Sequence, residues 1–473
     1  MVRISALHSA TAILPALLLA STLNAQTIGQ GSTPRTVSKV RIVRLSQVKG
    51  QVQMDRAMGR GLEPAIANLP IVEKSRLETG NGMAEIEFED NSTLRVTADS
   101  VVEFPRLDRL PGGTTESSVR LVKGTAYMSL VKSPGNEFDL LFGEQTLRLP
   151  ASSHVRLELD DSAAKLAVLE GTASIEGPAG VTDVARKNTA TFAIPGSSRP
   201  TIAKNVAAGP YDEWDHKSAE YHARSAMTSF GNSPYAYGAG DMAYYGSFVD
   251  APGCGSMWRP YFASAAWSPY SSGAWAWYEG AGYSWVSSYP WGWTPYHSGT
   301  WAFCPDSGWG WMPDGGWTGL NNVASGTGEK LPGRLPTAPS RPPRLGEATI
   351  TPAEAKSAVY SEVSSSGNFI FRKDSAGLGI PRDGLGKLAK FSQRTLEKGT
   401  ATTPVYFEAA ESVDARGRSA RELVGAVTMH RGSPPPLDDS VSSQSASSGG
   451  AARSTASSST PSLHTGSSGG SHH

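Results

Sequence analysis

The sequence predicts a mainly β protein, with an all-β domain over 40–195, a small Trp/Tyr-rich module of β-hairpin repeats over 241–320 and a disordered tail over 431–473. Three observations carry that expectation. From Val40 onward much of the pattern alternates with period two, as half-buried strands do. The 473 residues include 51 Gly and 32 Pro, which favours turns over helix. All twelve Trp lie between Trp214 and Trp317, in a stretch that repeats itself.

The N-terminus reads as an export signal over 1–25. Met1 to His8 holds one Arg and one His, Ser9 to Leu23 is apolar, and Leu23-Asn24-Ala25 precedes Gln26 as a cleavage site. The apolar run is short for a span of about 20 residues and Pro15 interrupts it, which disfavours an uncleaved anchor. No Cys follows to carry a lipid and no later stretch is long enough to span, so a periplasmic, secreted or cell-surface chain without a transmembrane segment is expected. Residues 26–39 are polar and read as a linker.

In the first module Ala84-Glu85-Ile86-Glu87-Phe88-Glu89 alternates small or apolar with acidic, turns at Asp90-Asn91-Ser92 and returns through Leu94-Arg95-Val96. This pattern predicts a hairpin with one wet face, carrying Glu85, Glu87 and Glu89 into solvent. A calcium cage needs convergent oxygens from a loop, and the twelve-residue calcium pattern is missing. Val155 to Leu159 and Leu166 to Leu169 repeat the strand signal, and His154, with no Cys or His at ligand spacing, reads as structural.

Leu77-Glu78-Thr79-Gly80, Ala84 to Phe88, Asp90-Asn91-Ser92-Thr93-Leu94 and Ser100-Val101-Val102 resemble the FecR-type periplasmic domain, with Asn91 where that family usually has Gly. Val119 to Gly124, Phe138 to Leu141 and Leu166 to Gly171 look like its continuation. The resemblance implies an exported all-β domain. FecR itself relays a signal from an outer-membrane receptor to a sigma factor through a cytoplasmic tail. At most eight residues precede the apolar segment here, so sigma-factor binding is not expected to carry over.

Tyr211 to Met227 predicts a connecting helix within 210–228, with Asp212, Glu213 and Asp215 in its first turn. His216 and His222 are six apart, on different helix faces, and are expected at the surface. Beyond it Trp267-Ser-Pro-Tyr270-Ser-Ser-Gly273-Ala-Trp275 recurs 26 residues later as Trp293-Thr-Pro-Tyr296-His-Ser-Gly299-Thr-Trp301, and a looser copy runs from Tyr245 to Trp258. Each copy reads as a Gly-turned hairpin that needs neighbours to be stable. Cys254 and Cys304 lie in the first and third copies. An even Cys count in an exported chain favours an internal bridge, with two free thiols or an intermolecular bridge as alternatives.

So many rings serve either as the core of a small module or as a face on which sugars stack. Both uses are compatible, with Trp275, Trp285, Trp301 and Trp311 inside and Tyr270, Trp291 and Tyr296 outside as ligand contacts. The segment resembles an uncharacterised Trp/Tyr-rich module of exported bacterial proteins, with the signature Trp-x-Pro-Tyr, Gly-x-Trp and Pro-Trp-Gly-Trp-x-Pro-Tyr-His. That resemblance implies architecture and location, and no activity.

Pro-rich 321–350 reads as a spacer, 351–430 as weakly structured with helices over Pro352 to Val363 and Gly384 to Lys398 and a strand at Thr403 to Glu408. His472-His473 ends the tail and reads as incidental. The 43 basic and 43 acidic residues balance, leaving no electrostatic footprint for nucleic acid. Gly377-Leu378-Gly379 lacks the spacing of a phosphate cradle, and nothing fixes the separation of Glu279, Asp306 and Asp314 as a hydrolase needs. The sequence therefore predicts a non-catalytic binding or scaffold protein of the envelope, without cofactor or metal, whose partner is a wall or surface glycan or an envelope protein. The alternative is a sensor of envelope signals acting through the FecR-like domain.

Overall fold

The computed structural model describes residues 40–194, 196, 199–225, 235–314, 316–322, 326–327, 335–353, 361–364, 367–382, 384–386 and 388–404. The segments expected to be a signal peptide with cleavage at Ala25-Gln26, a linker over 26–39 and a tail over 431–473 lie outside these residues.

Two sheets share one long strand. In the first sheet the spatial order is Pro70–Ile71, Val43–Lys49, Met83–Glu87, Thr93–Val96, the second half of Thr115–Ser129, His154–Leu159, Ala163–Glu170, Thr189–Ala193 and Thr201–Ala203, all antiparallel. The second sheet runs Glu63–Pro64, Val52–Asp55, Arg76–Thr79, Ser100–Arg109, the first half of Thr115–Ser129, Glu137–Phe142, Gln145–Arg148, Thr172–Gly177 and Gly180–Ala185. Its one parallel pair joins Thr115–Ser129 to Glu137–Phe142. The shared strand changes sheets at Gly124, whose φ of 92° and the 2.5 Å from a would-be Cβ to the Ser100 Cα admit only glycine. Between the sheets Val43, Leu45, Ile86, Leu94, Leu121, Leu140, Leu157 and Leu166 are buried, each stabilising by roughly 1.5–3 kcal/mol. Asn91 turns the predicted hairpin with φ of 72°, the left-handed position that Asn tolerates.

Helix α1 (Asp212–Ser225) follows, carrying the predicted acidic first turn, and α2 (Ala239–Tyr245) leads into the aromatic module. Its three repeat copies form three hairpins: Gly246–Ala251 with Gly255–Pro260, Gly273–Tyr278 with Gly282–Ser287, and Thr300–Cys304 with Gly308–Met312. The first and third join one sheet through Trp258 opposite Trp311, while the second pairs with Ile350–Pro352. Each copy packs one glycine under an indole twelve residues later. A Cβ would come 2.3 Å from Trp258 Cζ2 at Gly246, 2.3 Å from Trp285 Cζ2 at Gly273 and 2.5 Å from Trp311 Nε1 at Gly299. The Cys254 and Cys304 sulfurs lie at disulfide distance, 2.17 Å, closing a 50-residue span around the middle copy.

The middle hairpin has two buried faces. Ala276, Tyr278 and Val286 join the core of the β-domain, while Trp275 and Trp285 join the aromatic core. Across this junction Asn68 Nδ2 donates to the Ser287 and Tyr289 carbonyls, and Tyr278 Oη donates to the Pro70 carbonyl at 2.6 Å.

The weak structure expected over 351–430 gives way, within 361–404, to a packed unit. Glu362–Val363, Asn368–Arg372 and Thr400–Pro404 form a sheet. A helix, Leu388–Lys398, packs with it, and Phe369, Phe371, Ile380 and Leu388 enter the aromatic core. Rings supplied from far upstream give this segment the apolar partner that its own composition lacks. Most of the helix expected over Pro352 to Val363 lies outside the described residues, and its two ends are strands.

Candidate functional site

The rings expected in solvent are inside. Tyr270, Trp291 and Tyr296 are 6%, 0% and 7% exposed, which corrects the expectation that they face outward. The reason is mutual packing. Trp291 stacks on Tyr289 at 4.9 Å and donates its indole N–H to the Ala376 carbonyl at 2.7 Å. Tyr296 donates to the Pro269 carbonyl at 2.5 Å, and Tyr270 meets the edges of both Trp285 and Tyr296 at 5.7 Å. Trp275, Trp285, Trp301 and Trp311 lie inside as expected. Rings that satisfy one another at these distances leave no stacking plane for a sugar among these three residues.

The wet face expected of the Glu hairpin is also buried, and it forms the most concentrated cluster of charge among the described residues. Glu85, Glu87 and Glu89 are nearly inaccessible, while Asp90 is half-buried. A strand face reaches water only if nothing covers it, and here α1, α2 and the 361–404 unit do. Register supplies part of the pairing, since Glu85 sits opposite Arg95 and Glu87 opposite Arg44. Arg95 Nε reaches Glu85 at 2.9 Å and Arg95 Nη1 reaches Asp215 of α1 at 2.8 Å. Arg44 Nη1 bridges Glu87 at 2.8 Å and Asp241 of α2 at 2.7 Å, while its Nη2 donates to the Pro290 carbonyl. Arg382 donates Nε and Nη2 to the two Asp241 oxygens at 2.8 and 2.9 Å, and Nη1 to Glu85 at 2.5 Å.

His222, expected at the surface, lies in this cluster with Nε2 3.0 Å from Glu85 and Nδ1 3.6 Å from Glu87, because α1 lies against the first sheet. His216 is on the open side of the helix. His154 Nε2 lies 2.7 Å from Asp215, a structural role.

Burial would raise the Glu85 carboxyl, but His222, Arg382 and Arg95 outweigh it and hold it well below its usual range. Asp241 is lowered against the same desolvation by Arg382, Arg44 and the Tyr221 hydroxyl. Burial, with Asp241 alongside, pushes the Tyr221 phenol well up. Elsewhere His297 of the aromatic module, buried against Trp293 with Nδ1 2.8 Å from the Gly319 carbonyl, is lowered to about 4 by desolvation.

The sequence does not assign Arg44, Arg95, Asp215, Tyr221, Asp241 and Arg382 to a buried charge cluster. The Arg-for-Glu complementarity of the paired strands was a usable signal for the first two. Arg382 gave none, since its partners are 141 and 297 residues away.

What this arrangement defines is a β-sandwich whose charged face is closed by two helices and the 361–404 unit, with an aromatic hairpin module packed on its core. Residues 75–174 match the family described as FecR protein, and 239–341 match a family of unknown function (DUF6600). No curated protein matches the chain. Two solved structures of a "putative anti-sigma factor" from Parabacteroides distasonis align at 12% identity over 32% of this chain and 74% or 72% of theirs, each with a TM-score of 0.25. No helix among the described residues is long and apolar enough to cross a membrane.

Proposed function

We propose that this chain is an exported, non-catalytic FecR-domain protein that serves the cell envelope as a rigid scaffold for a protein partner. The observation that carries the reading is how the reactive groups are used. Glu85, Glu87, Asp215 and Asp241 are each committed to buried arginines, and the indoles and phenols of the repeats to one another. Such a molecule offers shape and stability. Recognition then falls to its outer surface, where protein contacts need no preformed pocket. The Cys254–Cys304 pair at disulfide distance supports an oxidising compartment, and in this reading the chain reaches it after cleavage between Ala25 and Gln26.

The test is retention of the purified, oxidised full chain on native envelope fractions, with its mature N-terminus sequenced in parallel. Saturable retention that protease treatment of the envelope abolishes is the expected result. Retention that survives protease and disappears on muramidase digestion would replace the protein partner with a wall glycan. No saturable retention on either would sink the scaffold reading. A signal-sensing role through the FecR-like domain is the second reading, supported by the 75–174 match. It predicts that deleting those residues abolishes a transcriptional response to envelope stress.

A further inference from the structure

The geometry points to an arginine-recognition pocket, built from Glu85, Asp241 and Tyr221 and occupied in cis by Arg382, into which a guanidinium from another chain also fits. Three features define it. Asp241 receives the guanidinium as a fork, through both carboxylate oxygens at 2.8 and 2.9 Å. Glu85 takes the remaining edge at 2.5 Å. The Tyr221 ring lies under the cation, 5.0 Å from Cζ to the ring centroid. A planar ion with donors on two edges and an attractive face is what such walls select; a compact ammonium satisfies only one of them.

The walls stand without Arg382. Glu85 is also held by Arg95 at 2.9 Å, by the Ser46 hydroxyl at 2.8 Å and by His222 at 3.0 Å. Asp241 is held by Arg44 at 2.7 Å and by the Tyr221 hydroxyl at 2.7 Å. Tyr221 is wedged edge-on against His222 and Tyr244. The cation arrives separately, between the strand ending at Arg372 and the helix beginning at Leu388, on a connection whose described residues hold no helix or strand. Two α2 tyrosines pin this connection on either side of Arg382, Tyr245 donating to the Ile380 carbonyl and Tyr244 to the Leu385 carbonyl, each at 2.8 Å. With Arg382 withdrawn, both Asp241 oxygens and one Glu85 oxygen lose their guanidinium, and the vacated space is lined by these carboxylates and the Tyr221 ring. Arg382 is nearly buried, with 11% exposure of its side chain, so a second arginine reaches these walls by displacing it.

The experiment is chemical rescue of Arg382→Ala in the oxidised full chain. The substitution should lower the melting midpoint by about 5–15 °C, as loss of one buried ionic partner does in a domain of this size. N-ethylguanidinium at millimolar concentration should restore part of that loss saturably, ethylammonium at equal ionic strength should not, and Asp241→Asn should abolish the rescue. Equal rescue by both cations, or rescue by neither, would overturn the assignment. Should Arg382→Ala fail to fold, the wild-type chain gives the answer. N-acetylarginine amide must then raise hydrogen exchange at the amides of 377–386 more than N-acetyllysine amide does, and equal exchange with the two overturns it.

Discussion

A carboxylate on a strand of alternating charge is satisfied either by water or by a guanidinium, and the strand itself does not say which. Glu85 and Glu87 show the ambiguity. Their spacing placed them on one face correctly, but what covers that face is decided by α1, α2 and Arg382, all remote in sequence. Taking one member from such a cluster strands its partners in a medium that penalises lone charge. Glu85→Gln should cost about 3–5 kcal/mol, read from the urea midpoint at neutral pH. Because the folded carboxyl titrates below its ordinary value of 4.5, its stabilisation is present above that pH and is lost as the pH falls through the lower folded value. His297 acts in a separate window. Its folded value of about 4 against 6.5 means that the unfolded chain binds the extra proton between those limits, so stability declines as pH falls from 6.5 towards 4, by on the order of 3 kcal/mol in all. His297→Gln should flatten a plot of melting temperature against pH in that interval and leave the decline below it to the lowered carboxyls, Glu85 and Asp241 among them.

At the scale of elements, the repeat was legible and its purpose was not. Displacements of 26 and 27 residues announced three hairpins, since glycine turns and paired indoles recur locally. Trp275, Trp285, Trp301 and Trp311, expected inside, are buried. Tyr270, Trp291 and Tyr296 lie in the connections between strands, where no period fixes direction, and tertiary packing drew them inward. The spacing from glycine to tryptophan is the part of the repeat with a steric reason. Gly273→Ala should displace the Trp285 ring and cost about 1–3 kcal/mol by overpacking, whereas Gly112→Ala, which meets nothing within 4 Å, should stay within about 0.5 kcal/mol. Comparing denaturation midpoints of the two variants checks the point.

For the whole molecule, the middle hairpin couples both cores, which the sequence could not reveal because each segment reads as a self-sufficient module. Its Ala276 and Val286 serve the sandwich while Trp275 and Trp285 serve the rings, so neither half can be unfolded without exposing the other. Far-ultraviolet dichroism, dominated by the sandwich, and near-ultraviolet dichroism, dominated by the rings, should report one coincident transition. Replacing both Cys254 and Cys304 by Ser should move that transition by at most roughly 3 to 4 kcal/mol, the chain-entropy value for a 50-residue loop, without splitting it. Two separated transitions in either protein would contradict the coupling.

The way the three hairpins pair also bears on how such a gene can change. In an open array the last unit presents a free face to the next, and tandem duplication lengthens the protein by whole copies. Here the first and third copies pair with each other, the second takes its extra strand from Ile350–Pro352, and both faces of the second are buried, one in each core. A recombination event that inserted another 26 codons between Cys254 and Cys304 would produce a unit with no vacant neighbour. Copy number in this module is a property of its topology, and divergence is left to proceed by substitution.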